Sequence, residues 1–224
     1  EMINYIPTID QKELKGGVVY FDGQFDDARM AISLAKTAAQ FNGVLLNYMK
    51  VEKINKNRDG ISESVIASDL ETKEKYQIQS KTIINATGVF ADNVIKMDDP
   101  DADEMIQPSQ GTHIVLDSSF LPDKYAFMVP HTKDGRILFA VPWHNKVIVG
   151  TTETVIEKPL IEPHYQLHEV EFILKTAGKY LTKKPTKKDV LSVFSGLRPL
   201  AKLEGNKRST KEISRHHKVI VSSS

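Results

Sequence analysis

"GRILFAVPWHNKVIVGTT", residues 135–152, is where the fold is decided. Two apolar runs flank His144-Asn145, a pair that tolerates the tight turn between adjacent strands. The stretches "GTHIVLD" (111–117), "KYAFMVPHT" (124–132) and "HHKVIVSS" (216–223) have the same strand-like character, with a further turn at Asp134-Gly135. One helix interrupts them, because Leu167, Val170, Leu174, Ala177 and Leu181 share a face across 165–181. Lys183, Lys184, Lys187 and Lys188 surround Pro185 in a basic loop. Strands segregated from a few helices define an α+β fold with a mixed or antiparallel sheet and packed helices.

The first half works outward from this. Residues 18–21 suit a strand, and Asp26 or Asp27 suits a helix N-terminus. Ala31, Leu34, Ala35 and Ala38 then present a small-residue face for close packing, and Asn42-Gly43 ends the helix. Residues 44–54 read as an extended strand, Asp59-Gly60 and 71–74 as turns, and 82–86 as an apolar strand closing a meander. A short helix is expected over 92–97, followed by "DDPDADE" (98–104), a solvated acidic connector.

The composition is that of an ordinary globular protein, 40% hydrophobic and 26% charged over 224 residues. A net charge of +1 gives no global field for nucleic acid. The absence of cysteine excludes disulfides, thiolate metal sites and cysteine nucleophiles, and fits a reducing compartment. No apolar run approaches the ~20 residues of a membrane span. The sequence opens at Glu1 without Met and closes on "VIVSSS", which reads as a piece of a longer chain.

Several stretches could carry chemistry. In "TIINATGVFAD" (82–92), Ala86, Thr87 and Gly88 form a small turn where backbone can approach a ligand, although a plain strand-to-helix turn needs the same residues. Val51 in "YMKVEKI" is a second contact candidate, or simply a core-facing strand residue. "SVFSGLRPLAK" (192–202) sets Arg198 among apolar neighbours, where a guanidinium needs an anion or a carboxylate. Gly196 and Pro199 are read there as shaping a turn that presents the arginine. Arg215 lies among Lys211, His216, His217 and Lys218, as a phosphate clamp or part of a solvated basic face. His113 in "GTHIV" is a general base or a satisfied core histidine. His164 and His168 lack the H-E-x-x-H order, so no metal site is assigned. Trp143 is read as strand packing or sheet edge, and Asp27 with Arg29 as cap and surface cation.

The turn and Val51 resemble the corresponding elements of FAD-dependent oxidoreductases of the D-amino-acid-oxidase type. With "FDDAR" (25–29), "GTHIV" (111–115), "VPW" (141–143), "VGTTE" (149–153), "SGLRPL" (195–200) and "ISR" (213–215) in that order, the chain resembles the central part of FAD-dependent glycerol-3-phosphate dehydrogenases. No G-x-G-x-x-G is present; in the family it lies upstream of the residue matching Glu1, and a further glycine- and lysine-containing segment lies downstream.

The resemblance implies a discontinuous substrate-binding domain, 1–43 and 106–224, and a remnant of a Rossmann-type FAD-binding domain, 44–105. It implies FAD contacts at Val51, Ala86, Thr87 and Gly88, and substrate contacts at His113, Arg198 and Arg215, with His113 and Arg198 catalytic. The parent enzyme would oxidise glycerol 3-phosphate to dihydroxyacetone phosphate with hydride transfer to FAD; this piece alone is expected to be inactive and not to hold FAD. A cytoplasmic enzyme with peripheral contact at the inner membrane face is expected, with no nucleic-acid partner and the oligomeric state open. The alternatives are a sister flavoprotein acting on an amino acid or a 2-hydroxy acid, and a non-catalytic module with a basic surface facing a membrane or an acidic partner.

Overall fold

The computed structural model describes residues 2–12, 14–129, 132, 136–202 and 219–222. In chain order the elements are α1 (Met2–Tyr5), α2 (Asp27–Gln40), β1 (Met49–Lys56), β2 (Ser62–Asp69), β3 (Lys75–Gln79), a 3-10 turn (Gly88–Phe90), α3 (Ala91–Asp98), β4 (Ile106–Asp117), β5 (Phe127–Val129), β6 (Leu138–Trp143), β7 (Lys146–Gly150), β8 (Thr154–Val155), α4 (Leu167–Ala177) and β9 (Ser192–Ala201). They form two compact units. The larger comprises Glu1–Gly17, Thr87–Asp92 and Asp103–Val219; the smaller comprises Val18–Ala86, Asn93–Ala102 and Ile220–Ser224. The boundary drawn from sequence at 43/44 falls inside the smaller unit.

The larger unit is built on β4. One edge of this long strand pairs with β9 over Ile106–Val115, and the other takes β7 and then β8. The six-stranded sheet continues through β6 to β5, and every ladder is antiparallel. The β6–β7 hairpin turns at His144 and Asn145, both at positive φ, as the opening stretch requires. Alternation sends Ile114, Leu116, Val147, Val149, Leu138 and Ala140 to one face, all buried. Onto that face pack Val170, Ile173, Leu174 and Ala177 of α4, together with Ile6, Ile9 and Leu181. The N-terminal segment is pinned beside the end of α4 by an Ile9–Leu181 bridge and by Thr182 N–H donating to the Thr8 carbonyl at 2.8 Å.

The smaller unit holds the antiparallel meander β1–β2–β3 and helix α2. Asp26 caps α2 by accepting from the Arg29 N–H at 3.0 Å, and Asn42 in the left-handed region (φ 64°) lets the Gly43 N–H close on the Ala38 carbonyl. Gly60 at φ 81° makes the first meander turn.

Four expectations change. Residues 18–21, 44–48 and 82–86 belong to no strand; Val18, Phe21, Val44 and Ile84 are largely exposed. An apolar run becomes a strand only when another strand bonds to it, and none among the described residues does so. Residues 195–200 are not a turn but the middle of β9, with Gly196 opposite Gly111 and Pro199 opposite Pro108. Proline is tolerated because, among the described residues, β9 pairs with β4 alone and is an edge strand. Helix α4 is shorter than 165–181, starting after Gln166 and giving way at Gly178. Asp134-Gly135, Arg215 and half of 216–223 lie outside the described residues; 219–222 form no strand.

Candidate active site

The face of the sheet opposite α4 carries two of the polar residues singled out by sequence, His113 and Arg198. On β4, His113 points away from the core face that Thr112 and Ile114 share. Directly across on β9 stands Phe194, and the two rings stack at 5.1 Å between centroids and 10° between planes. Arg198, four residues along β9, is on the same side, as the period of two demands. Its Nη2 donates to Thr151 Oγ1 at 3.1 Å.

Two glycines make this arrangement possible. A Cβ on Gly111 would strike the Arg198 guanidinium, and a Cβ on Gly150 would strike the His113 ring. Gly111 thus lets Arg198 lie flat over β4, and Gly150, the partner of His113 in the β4–β7 ladder, clears room for the imidazole. Burial lowers the His113 pKa below its ordinary value, and the Arg198 charge lowers it further. The ring is therefore neutral near pH 7 and able to accept a proton.

The 3-10 turn Gly88–Phe90 lies against β4 and β9 within the same unit. Gly88 is at φ 60° with open space where a side chain would be, and Ala86 and Thr87 before it are exposed. Asp92, in the first turn of α3, accepts from the Met105 and Ile106 N–H groups at 3.0 and 3.1 Å, tying the turn to the start of β4. An open positive-φ glycine behind two small or polar residues fits a backbone contact to the adenosine end of FAD. Val51 lies half-buried on β1, in the smaller unit. No pyrophosphate-binding glycine pattern occurs in the sequence. Arg215 lies outside the described residues. Trp143 ends β6 at the hairpin, its ring edge-to-face with His144 at 4.7 Å.

The model of the family described as FAD dependent oxidoreductase matches residues 2–221. The chain belongs to that family. It is 38% identical over 205 residues to the mitochondrial glycerol-3-phosphate dehydrogenase of Schizosaccharomyces pombe, covering 88% of this chain and 32% of that protein. To the mitochondrial glycerol-3-phosphate dehydrogenase of Homo sapiens it is 37% identical over 232 residues, covering 99% and 31%. Among solved structures, the glycerol-3-phosphate dehydrogenase of Bacillus halodurans complexed with FAD superposes with TM-score 0.84 at 32% identity, over 89% of this chain and 40% of that one. The chain spans about a third of the length of these curated relatives. FAD is the cofactor of the family, and the α+β architecture matches that of its solved member. The expectation of a cytoplasmic protein does not stand: the Schizosaccharomyces pombe and Homo sapiens relatives are named as mitochondrial enzymes.

Sequence reasoning missed Thr151, Phe194, Gly111 and Gly150. The glycines had a legible signal, since each stands beside a motif residue or in a strand where glycine is otherwise unfavourable ("GTHIV", "VGTTE").

Proposed function

We propose that the full-length protein oxidises glycerol 3-phosphate to dihydroxyacetone phosphate, with the described sheet supplying the substrate side of the site. The larger unit is then the substrate-binding domain, and the smaller unit with Ala86–Gly88 contributes to the flavin side. The observation that carries this reading is the placing of His113 and Arg198 on one face, with Gly111 and Gly150 making the space. The dehydrogenase names of relatives at 37–38% identity support the substrate.

The chemistry follows from charge. Oxidising a secondary alcohol removes the C2 hydrogen as hydride and the hydroxyl hydrogen as a proton, leaving the ketone. FAD, when bound, is the hydride acceptor. Neutral His113 takes the hydroxyl proton; Arg198, held by Thr151, donates to the phosphate or hydroxyl oxygens. Arg215 is the second phosphate ligand in this reading. The lowered His113 pKa has a kinetic consequence: the acid limb of kcat/KM has its midpoint below pH 6.5, the ordinary imidazole value. An acid limb above pH 6.5 removes His113 as the base.

The test is anaerobic mixing of the FAD-loaded full-length protein with glycerol 3-phosphate, glycerol, and a panel of amino acids and 2-hydroxy acids. Bleaching by glycerol 3-phosphate above all others is expected. Bleaching by an amino or hydroxy acid instead replaces this reading with the sister-enzyme one. A second observation favours peripheral contact with an anionic surface: Lys175, Lys179 and Lys184 line an open cleft of about 460 Å³ beside Pro185, where Lys187 is paired with Glu171. Co-sedimentation with vesicles should then rise with anionic lipid content, and indifference to lipid charge removes the idea.

A further inference from the structure

Glu169 is a carboxylate only 1% exposed, on the core side of the sheet. A buried charge persists only when donors surround it. Its Oε2 accepts from Gln110 Nε2 at 2.9 Å, Thr112 Oγ1 at 2.8 Å and the Gln166 N–H at 2.8 Å. Its Oε1 accepts from Thr152 Oγ1 at 2.9 Å and Thr154 Oγ1 at 3.0 Å. Only the bond from Gln166 serves the helix start. The other four come from β4, from β8 and from the link between β7 and β8, although Val170, Ile173, Leu174 and Ala177 already hold α4 to the sheet. A helix that merely had to pack there would be served as well by an apolar side chain.

The donors stand beside the residues of the site. Thr112 precedes His113. Thr152 follows Thr151, which receives the Arg198 guanidinium. The β4–β7 ladder ends at His113–Gly150 and pairing resumes with β8 at Gln110–Thr154. In the gap, the Thr112 N–H donates to Thr152 Oγ1 at 2.9 Å, so a side chain replaces the missing ladder bond. Thr112 Oγ1 also meets Ser195 Oγ at 2.8 Å, on β9 three residues before Arg198. Because a carboxylate only accepts, it commits Thr112 and Thr152 as donors to itself. Ser195 must then donate to Thr112, and Thr152 is left as acceptor for the Thr112 N–H.

We propose that Glu169 is a positioning residue of the substrate site, locking from the far face of the sheet the three segments that carry His113, Thr151 and Arg198. The inference rests on the reading of those residues as the substrate site. Glu169→Gln tests it, since the amide has nearly the same shape but turns a donor toward a ring of donors.

The experiment uses the FAD-loaded full-length protein, in anaerobic stopped-flow reduction of the flavin by glycerol 3-phosphate. Glu169→Gln should slow reduction about tenfold or more, with FAD content and reduction by dithionite unchanged. Thr152→Val should slow it several-fold, and the double variant should be no slower than Glu169→Gln alone, because both remove one network. Ile173→Ala is the control for lost packing; at an equal or greater drop in Tm it should reduce within about twofold of the parent rate. The proposal is overturned if Glu169→Gln reduces within twofold of the parent, if Ile173→Ala is slowed as much, or if the Glu169 and Thr152 losses multiply. Should Glu169→Gln fail to accumulate, Thr112→Val and Thr152→Val carry the test, and parent-like rates in both overturn it. If the parent bleaches with another substrate, the glycerol 3-phosphate reading falls by itself, and the same comparison on that substrate decides the role of Glu169.

Discussion

Helix α4 buries Val170, Ile173, Leu174 and Ala177 along with Glu169 and Thr176, whereas helix α2 buries none of its 14 residues. Both carry an apolar stripe at helical spacing. In α4 that stripe meets a sheet face already lined by Ile114, Leu116 and Val149, and tertiary packing supplies most of its stability. The described residues leave Met30, Ile32 and Leu34 of α2 exposed, and the support they give the helix is local: its alanines, the Asp26 cap and the Asn42-Gly43 stop. An apolar period determines that a helix forms; whether it is buried depends on what faces it.

That contrast sets a ranking of effects. Ile173→Ala should be the most damaging to stability, costing about 2–5 kcal/mol by removing a fully buried side chain, read by chemical denaturation of the larger unit. Gly150→Ala comes next. It forces a methyl group into the His113 ring, and in the full-length enzyme flavin reduction should slow by roughly tenfold to a hundredfold at a smaller cost in Tm. Asp26→Ala should cost ~1 kcal/mol, confined to α2 and visible as faster amide exchange over 29–38. Leu34→Lys should change stability by less than ~0.5 kcal/mol in this 224-residue chain, because the leucine is already in water. A large loss at Leu34 with a small one at Ile173 would reverse the contrast.

The same distinction explains what could be read from the sequence. The β6–β7 hairpin was legible because its signal is local: a turn pair between two alternating runs. So were α2 with its caps, the two turns of the meander and the core stripe of α4, although the meander closes on Lys75–Gln79 and not on 82–86. Strands expected at 18–21 and 82–86 were not formed, because strand identity requires a bonded neighbour that no local pattern supplies. Among the candidate site residues, His113 and Arg198 were singled out through their motifs, but their common face was not legible. It depends on β9 running straight through Gly196 and Pro199, where a turn was the natural reading, and on a register that sets His113 against Phe194. Glu169 was hidden for the same reason. Its capping-box spacing is visible, yet the donors that surround it come from residues 15 to 59 positions away.

The central claim is that Arg198 and His113, on the partly exposed face of the sheet, receive an anionic polyol phosphate. The most direct measurement is steady-state and anaerobic kinetics of Arg198→Ala in the FAD-loaded full-length protein, with glycerol 3-phosphate and glycerol compared side by side. Loss of one partner of a desolvated charge pair should lower kcat/KM for glycerol 3-phosphate roughly a hundredfold or more, and that for glycerol only a few-fold. Equal losses on both substrates, or none on the phosphate, would contradict it.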